Sequence, residues 1–255
     1  MTGKTHKDLI DAQFGPRAKA YVESAVHSRG PDLDALESIV RDIAPSRALD
    51  LGCGGGHVAY LLAHHAGKVT ATDLSPEMLA AVAETAKSRA LHNIETAEAS
   101  ADRLPFEDGA FDFLACRYSA HHWRDFEGGV REARRVLQRG ATAVFIDVVA
   151  PAHPLLDTHL QAVELLRDTS HVRDYNAAEW IAAVGRAGFA PNVYRTWRVR
   201  MDFPVWIARM RTPELHASAI RSLQDGASAE IRSHFAIESD GSFMLDVQML
   251  GMNAA

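Results

Sequence analysis

From residue 47 onward, short apolar runs alternate with longer amphipathic stretches, and this rhythm constrains the fold more than any other feature of the chain. The runs lie at 48–51, 69–73, 94–97, 111–116 and 143–149. Between them, residues 57–66, 76–90 and 126–138 carry apolar positions at helical spacing. Parallel strands need a crossover, usually a helix, so the alternation predicts a parallel sheet covered on both faces. Beyond Val149 the rhythm changes. The pattern predicts helices over 155–167 and 177–187, the second ended by Gly188. It then predicts a strand over 193–203, a mostly helical stretch over 204–235 broken at Pro204, Pro213 and Gly226, and a last strand over 243–250.

Ahead of the first strand, residues 8–44 read as helical. Leu9, Ile10, Phe14, Tyr21 and Val22 mark one piece; Leu33, Leu36, Ile39, Val40 and Ile43 mark a second, divided from the first at Gly30-Pro31. The expected organisation is an N-terminal helical cap over 1–46 and an α/β domain over 47–255. Insertions near 151–176 and 204–240 are expected to pack over one end of the sheet as a helical lid. A length of 255 residues, 47% of them hydrophobic, suits one such embellished domain.

Charge and composition exclude several classes. The formal net charge is −6 and no basic face is evident, so phosphate-gripping nucleic-acid binding is not expected. Arg195, Arg198, Arg200, Arg209 and Arg211 are grouped only loosely, as on a solvated face. Cys53 and Cys116 have no metal-type spacing, and no metal is expected. Residues 1–7 are polar, and no apolar run approaches the ~18–20 residues that span a bilayer. A reduced, cytoplasmic protein is the expectation.

The strongest local signal is Asp50-Leu51-Gly52-Cys53-Gly54-Gly55-Gly56-His57, which follows a strand and opens a helix. Glycine permits positive φ and lets a ligand approach the backbone, and ligands of open α/β sheets bind at the carboxyl ends of strands. Asp73 ends the second strand about 20 residues on, where a carboxylate can accept both ribose hydroxyls of an adenosine ligand. Ser75-Pro76 follows as N-cap and first helical residue. A dinucleotide site usually reads G-x-G-x-x-G; this string reads G-x-G-x-G through Gly52, Gly54 and Gly56, with Asp50 two residues ahead. A carboxylate there would repel a diphosphate and favour an ammonium and a sulfonium. That points to S-adenosylmethionine rather than NAD.

Together these residues resemble motif I of the class I S-adenosylmethionine-dependent methyltransferases. Residues 72–79, the stretch Leu104-Pro105-Phe106-Glu107-Asp108-Gly109-Ala110-Phe111-Asp112, and Arg134-Arg135-Val136-Leu137 resemble further motifs of the UbiE-like, methyltransferase type 11 group. Gln13 to Ala18, Tyr21, residues 24–27, 117–123 and 167–175 resemble an uncharacterised bacterial subgroup. The resemblance implies a Rossmann-like, doubly wound, mostly parallel seven-stranded sheet with helical lid insertions. It implies that Gly52, Cys53 and Gly54 line the methionine part of the cofactor and that Asp73 holds the ribose. Leu74 and Met78 would flank the adenine; Ser100, Ala101 and Asp102 would meet its edge; Arg117 would lie near the methionine end. Many relatives carry Asp where Ser100 stands, which shifts adenine recognition toward Asp102 or the backbone. Arg139-Gly140-Ala141 replaces the usual Pro-Gly-Gly turn.

Methyl transfer from a sulfonium needs alignment and water exclusion, and a base only where the acceptor must lose a proton. The candidate bases are His122 and His171, with His57 and Tyr175 behind them. Arg173 is a candidate for an acidic acceptor group; Trp197, Trp206 and Met210 are candidates for an apolar pocket or for core. The expected partner is a small-molecule methyl acceptor, with a homodimer as one option. Two alternatives remain open at this point: an NAD-dependent oxidoreductase, and a non-catalytic S-adenosylmethionine-binding protein. The residues after the fourth strand, Cys116-Arg117-Tyr118-Ser119, do not resemble the (D/N/S)-P-P-(Y/F/W) motif of enzymes that methylate a flipped base.

Overall fold

The computed structural model of the chain describes residues 3, 5–15 and 30–255. Its strands are β1 (Arg47–Leu51), β2 (Lys68–Asp73), β3 (Ile94–Glu98), β4 (Phe111–Arg117), β5 (Leu137–Val148), β6 (Phe189–Met201) and β7 (Phe243–Ala254). They form one seven-stranded sheet in the order β3-β2-β1-β4-β5-β7-β6. β1 to β5 are parallel; β7 runs antiparallel between β5 and β6. The chain reverses its direction of travel across the sheet between β1 and β4. Loops diverge at that switch and leave a crevice at the strands' carboxyl ends.

The helices are α1 (His6–Phe14), α2 (Pro31–Ile43), α3 (His57–Ala63), α4 (Pro76–Ser88), α5 (Phe126–Arg135), α6 (Pro154–Arg167), α7 (Ala177–Ala187), α8 (Phe203–Met210), α9 (Glu214–Asp225) and α10 (Ala229–Phe235). Side-chain alternation along the strands sorts the core onto the two faces of the sheet. Leu49, Leu114 and Phe145 point to one face, where Val130 of α5 and Trp180 of α7 cover them. Ala48, Phe113 and Val144 point to the other, beneath Leu36 of α2, Leu62 of α3 and Val82 of α4. The sheet is therefore doubly wound. A third apolar cluster joins Leu160 of α6, Trp206 of α8, Ile220 of α9 and Phe235 of α10 to Phe243 and Leu245 at the start of β7. These helices occupy the intervals read from sequence as insertions.

Some boundaries differ from expectation. The helix predicted over 126–138 ends at Arg135, because the Val136 carbonyl accepts the Phe111 N–H at 2.9 Å and Leu137 already pairs with Phe111 in β5. β7 runs four residues past its predicted end because β5 and β6 pair with it on both sides as far as Asn253 and Ala254. Of the predicted N-terminal helix, α1 and α2 are seen. Residues 16–29, with Tyr21, Val22 and most of the N-terminal part of the flanking resemblance, lie outside the described residues. No helix among the described residues is long and apolar enough to cross a membrane.

Trp180 is 1% exposed, with its ring edge-on to Phe126 at 4.7 Å and tilted on Phe145 at 5.4 Å. Trp180→Ala is expected to cost about 3–5 kcal/mol, read as a lowered urea midpoint at unchanged slope. A loss under about 1 kcal/mol, the range of a surface substitution, would contradict this packing.

Candidate active site

The glycine turn and the end of β2 are tied together by backbone donors. The Cys53 N–H donates to the Thr72 carbonyl at 2.7 Å, and the Gly54 N–H donates to Asp73 Oδ2 at 2.9 Å. The other carboxylate oxygen, Oδ1, accepts the Ser75 N–H at 3.0 Å. Asp73 is thus fixed on both oxygens, with its remaining lone pairs beside a cavity it lines. Burial raises its pKa, and the Ser75 and Gly54 N–H groups pull it back. Ser75 caps α4 by accepting the Met78 N–H at 3.4 Å, and Pro76 occupies the first turn, as read from sequence.

Two glycines are required by space. Gly52 has φ +73°, and a Cβ there would collide with the Ser119 hydroxyl. Gly56 has φ +77°, and a Cβ would lie 2.8 Å from the Tyr60 ring and 2.9 Å from Val82. Gly54 is different: its φ is +47° and nothing lies within 4 Å of a Cβ built on it. Among the described residues its Cβ side is open, and a ligand can reach the backbone there.

Asp50 does not stand where its sequence reading put it. It is absent from the cavity wall; its Oδ2 accepts the Ala59 N–H of α3 at 2.8 Å, fixing that helix to the end of β1. It is 1% exposed, and burial pushes its pKa up to about 8, with Asp73 adding to the rise and Arg117 opposing it. Cys53 also lies off the wall and contributes backbone only.

One cavity of about 630 Å³ collects most of the other predicted residues, a size within the range of small-molecule sites. Gly52, Gly54, Asp73, Leu74 and Met78 line it. Ser100, Ala101, Asp102 and Arg117 line it too. The Ser100 hydroxyl donates to Asp102 Oδ1, and Arg124 sits 3.3 Å from Oδ2. Arg117 Nε donates to Asp32 Oδ2 of α2 at 2.6 Å, both side chains being under 10% exposed. The Arg117 guanidinium also lies 4.6 Å over the Tyr118 ring. Tyr118 itself has φ +51°, uncommon for a bulky residue and concentrated at functional sites.

The far end of the cavity is rich in histidines and carboxylates. His122 lines it, and its Nδ1 faces the Ser170 carbonyl at 3.1 Å; as donor there, Nδ1 leaves Nε2 to accept a proton. Burial and the neighbouring His121 charge lower its pKa to about 4, so the ring is neutral at pH 7. His171 does not reach the cavity: its Nε2 meets Gln161 Oε1 at 3.1 Å, and burial lowers its pKa to about 2. Arg173 is likewise off the wall, paired with Asp157 at 2.9 Å and Glu179 at 3.5 Å. His57, Tyr175 and Trp197 do not line the cavity, whereas Trp206 and Met210 do.

The sequence reading passed over His121, Asp147, Glu164 and Asp174. His121 Nδ1 lies 2.6 Å from Asp147 Oδ1; burial lowers the imidazole pKa, but Asp147 overcomes that and lifts it to about 9. A carboxylate inside the apolar run Phe145-Ile146-Asp147-Val148 was the available signal, since such a group is buried only with partners. The acidic and histidine content of 164–174 was another.

Fold and crevice define a class I α/β nucleoside-site enzyme of the methyltransferase type. A model of the methyltransferase domain matches residues 49–145. The chain is 43% identical over 204 residues to the uncharacterized protein YafE of Escherichia coli K12, covering 80% of this chain and 99% of that one. It is 31% identical to the uncharacterized methyltransferase YcgJ of Bacillus subtilis over 227 residues, covering 89% and 90%. The crystal structure of YcgJ superposes with a TM-score of 0.84 over 88% of this chain and 98% of that one. A demethylmenaquinone methyltransferase of Thermus thermophilus is 36% identical over 110 residues, 42% of this chain and 50% of that one. The chain belongs to the class I S-adenosylmethionine-dependent methyltransferases, in the UbiE-like group. That stands against the oxidoreductase reading.

Asp50 gives a pH signature. Its folded pKa lies above the ordinary carboxylate value, so the folded state keeps the proton longer than the unfolded chain. Its contribution to stability is full below about pH 4 and drains away as pH rises toward about 8. Asp50→Asn keeps an oxygen for the Ala59 N–H and cannot ionise. Urea unfolding at pH 5 and pH 8 is expected to show a larger fall for the wild type than for the variant; parallel falls would contradict the assignment.

Proposed function

We propose that the chain transfers a methyl group from S-adenosylmethionine to a small-molecule acceptor, with the two reactants sharing one cavity at the carboxyl ends of β1, β2 and β4. The observation that carries this reading is the pairing, in one cavity, of a backbone-fixed carboxylate beside an open glycine with a polar, histidine-bearing far end. The residues present fit the cofactor: among the described residues no side chain lies within 4 Å of a Cβ built on Gly54, and both Asp73 oxygens are held for hydrogen bonding. When bound, the cofactor would supply an electrophilic methyl group.

In this reading Asp73 accepts the ribose hydroxyls, and Gly52 and Gly54 offer backbone to the methionine part. Leu74 and Met78 flank the adenine, and Ser100, Ala101 and Asp102 meet its edge. Arg117, neutralised by Asp32, braces the methionine end rather than binding a free anion. Asp50 and Cys53 act through the loop they hold. His122, neutral at pH 7, is the group able to take a proton from an acceptor; His171 supports the wall behind it. The helices of 154–167 and 203–235, with Trp206 and Met210 on the wall, form the lid that excludes water from the acceptor.

Label transfer tests the reading. Incubation with methyl-labelled S-adenosylmethionine and a small-metabolite extract is expected to label a low-molecular-weight product. Asp73→Ala is expected to abolish that label and to lose the thermal shift given by S-adenosylhomocysteine. A thermal shift from NAD and none from either adenosyl compound would overturn the assignment.

A further inference from the structure

The far end of the cavity holds three donor groups that the methyl-transfer reading does not use. His121 comes from the turn after β4, Asp147 from the end of β5, and Asp174 from the segment before α7. Their donor atoms all lie within 4.8 Å of one another. Both carboxylates are buried, and His121 and Asp174 open onto the cavity. Asp174 carries the second observation. Its side chain is 2% exposed, yet its Oδ2 has no hydrogen-bond partner among the described residues. The nearest cationic candidate, His171 Nε2, stands 4.0 Å away and already meets Gln161 Oε1 at 3.1 Å. A buried carboxylate oxygen without a donor is expensive unless a cation or a proton answers it.

We propose that His121, Asp147 and Asp174 form a divalent-cation site at the acceptor end of the cavity. Donors sharing one ion through bonds of about 2.0–2.3 Å lie at most about 4.6 Å apart when opposite each other. A cluster within 4.8 Å closes on one ion by side-chain adjustment, with the 2.6 Å His121–Asp147 hydrogen bond opened to admit it. One imidazole nitrogen with two carboxylates suits Mn²⁺, Fe²⁺ or Zn²⁺ better than Ca²⁺ or Mg²⁺, which take oxygen donors. The donors are also braced from behind, as metal ligands usually are. Asp147 accepts the Ala120 N–H on Oδ2 and the Val148 N–H on Oδ1, each at 2.9 Å. Gln161 holds the Asp174 backbone, accepting its N–H at 3.1 Å and donating to its carbonyl at 2.8 Å. An ion entering the cluster displaces the proton that His121 shares with Asp147, and the neutral imidazole and two carboxylates that result balance a dication; the nearby Glu164 is answered separately by Arg167 at 3.4 Å.

The role of the site rests on the methyltransferase reading. With three protein donors and a face on the cavity, the ion keeps positions open for a ligand, as catalytic metal sites do. A hydroxyl or carbonyl oxygen of the acceptor would bind there, and a bound hydroxyl would release its proton to solvent at lower pH than when free. The acceptor class is then an oxygen-bearing small molecule held by that oxygen. The three donors are too dispersed along the chain for a metal-type spacing, so no spacing rule joins them.

Chelator-stripped full-length protein titrated calorimetrically with Mn²⁺ alone, and separately with Zn²⁺, tests the site. One ion per chain is expected, with binding at least about tenfold weaker in Asp174→Asn and in His121→Ala. The same variants are titrated with S-adenosylhomocysteine, whose affinity is expected to persist and so to report an intact fold. Absence of stoichiometric binding of either ion to the wild type, or equal affinity in Asp174→Asn, would overturn the proposal. The wild-type stoichiometry decides even where a variant fails to fold. Ion binding without S-adenosylhomocysteine binding would remove the methyltransferase reading and leave the cation site; the reverse would remove the cation site alone.

Discussion

The Asp73 carboxylate is the joint on which the nucleoside end of this protein depends. It closes β2, receives the Gly54 N–H across the crevice and the Ser75 N–H from the following turn, and faces the cavity with what remains. The Gly54 bond, with the Cys53 N–H on the Thr72 carbonyl, fixes the glycine turn to the neighbouring strand before any ligand arrives. Hydrogen bonds to a charged acceptor are among the stronger ones a protein makes. A preorganised acceptor of this kind lowers the ordering cost of binding. The turn needs glycine because Gly52 and Gly56 have no room for a Cβ, and Gly54 keeps the approach clear.

Around that joint the cavity divides by chemistry. The end proposed for the cofactor is framed by backbone, by Leu74 and Met78, and by a buried Arg117–Asp32 pair that spends its charge internally. Its acceptor end concentrates ionisable groups whose environments push them apart: His121 is lifted by Asp147 while His122 is driven down by burial and by His121. Two adjacent histidines in opposite protonation states at neutral pH separate a group paired with a buried carboxylate from one that can accept a proton. The apolar wall of Trp206 and Met210 comes from the helical region after β5. That region departs from the alternating α/β rhythm.

Much of this was legible in the sequence because it rests on local rules. Short apolar runs alternating with amphipathic stretches found the five parallel strands, and Ser75-Pro76 marked a helix start that the Ser75 cap then made. The glycine turn and Asp73 were readable because a ligand-binding turn needs both within about one βαβ unit. What could not be read depends on contacts between distant residues. Asp50 looked like a ligand-facing carboxylate, but the pleat turns its side chain beneath the loop toward Ala59. Histidine type alone could not separate His122, on the cavity, from His171, spent on Gln161. Asp32, Asp147 and Asp174 reach the site from segments far apart in the chain, and no spacing rule joins them. The helix read over 126–138 overran because Val136 and Leu137 keep apolar helical spacing while their backbone already serves β4 and β5.

Calorimetric titration of the native protein with S-adenosylhomocysteine and with its 2′,3′-dideoxyribose analogue tests the central claim most directly. If Asp73 grips the ribose, S-adenosylhomocysteine binds at one site per chain and the dideoxy analogue binds about tenfold or more weaker, the worth of hydrogen bonds to a charged group at ~1.5–3 kcal/mol. No heat from S-adenosylhomocysteine, or equal affinity for the two compounds, would contradict the account.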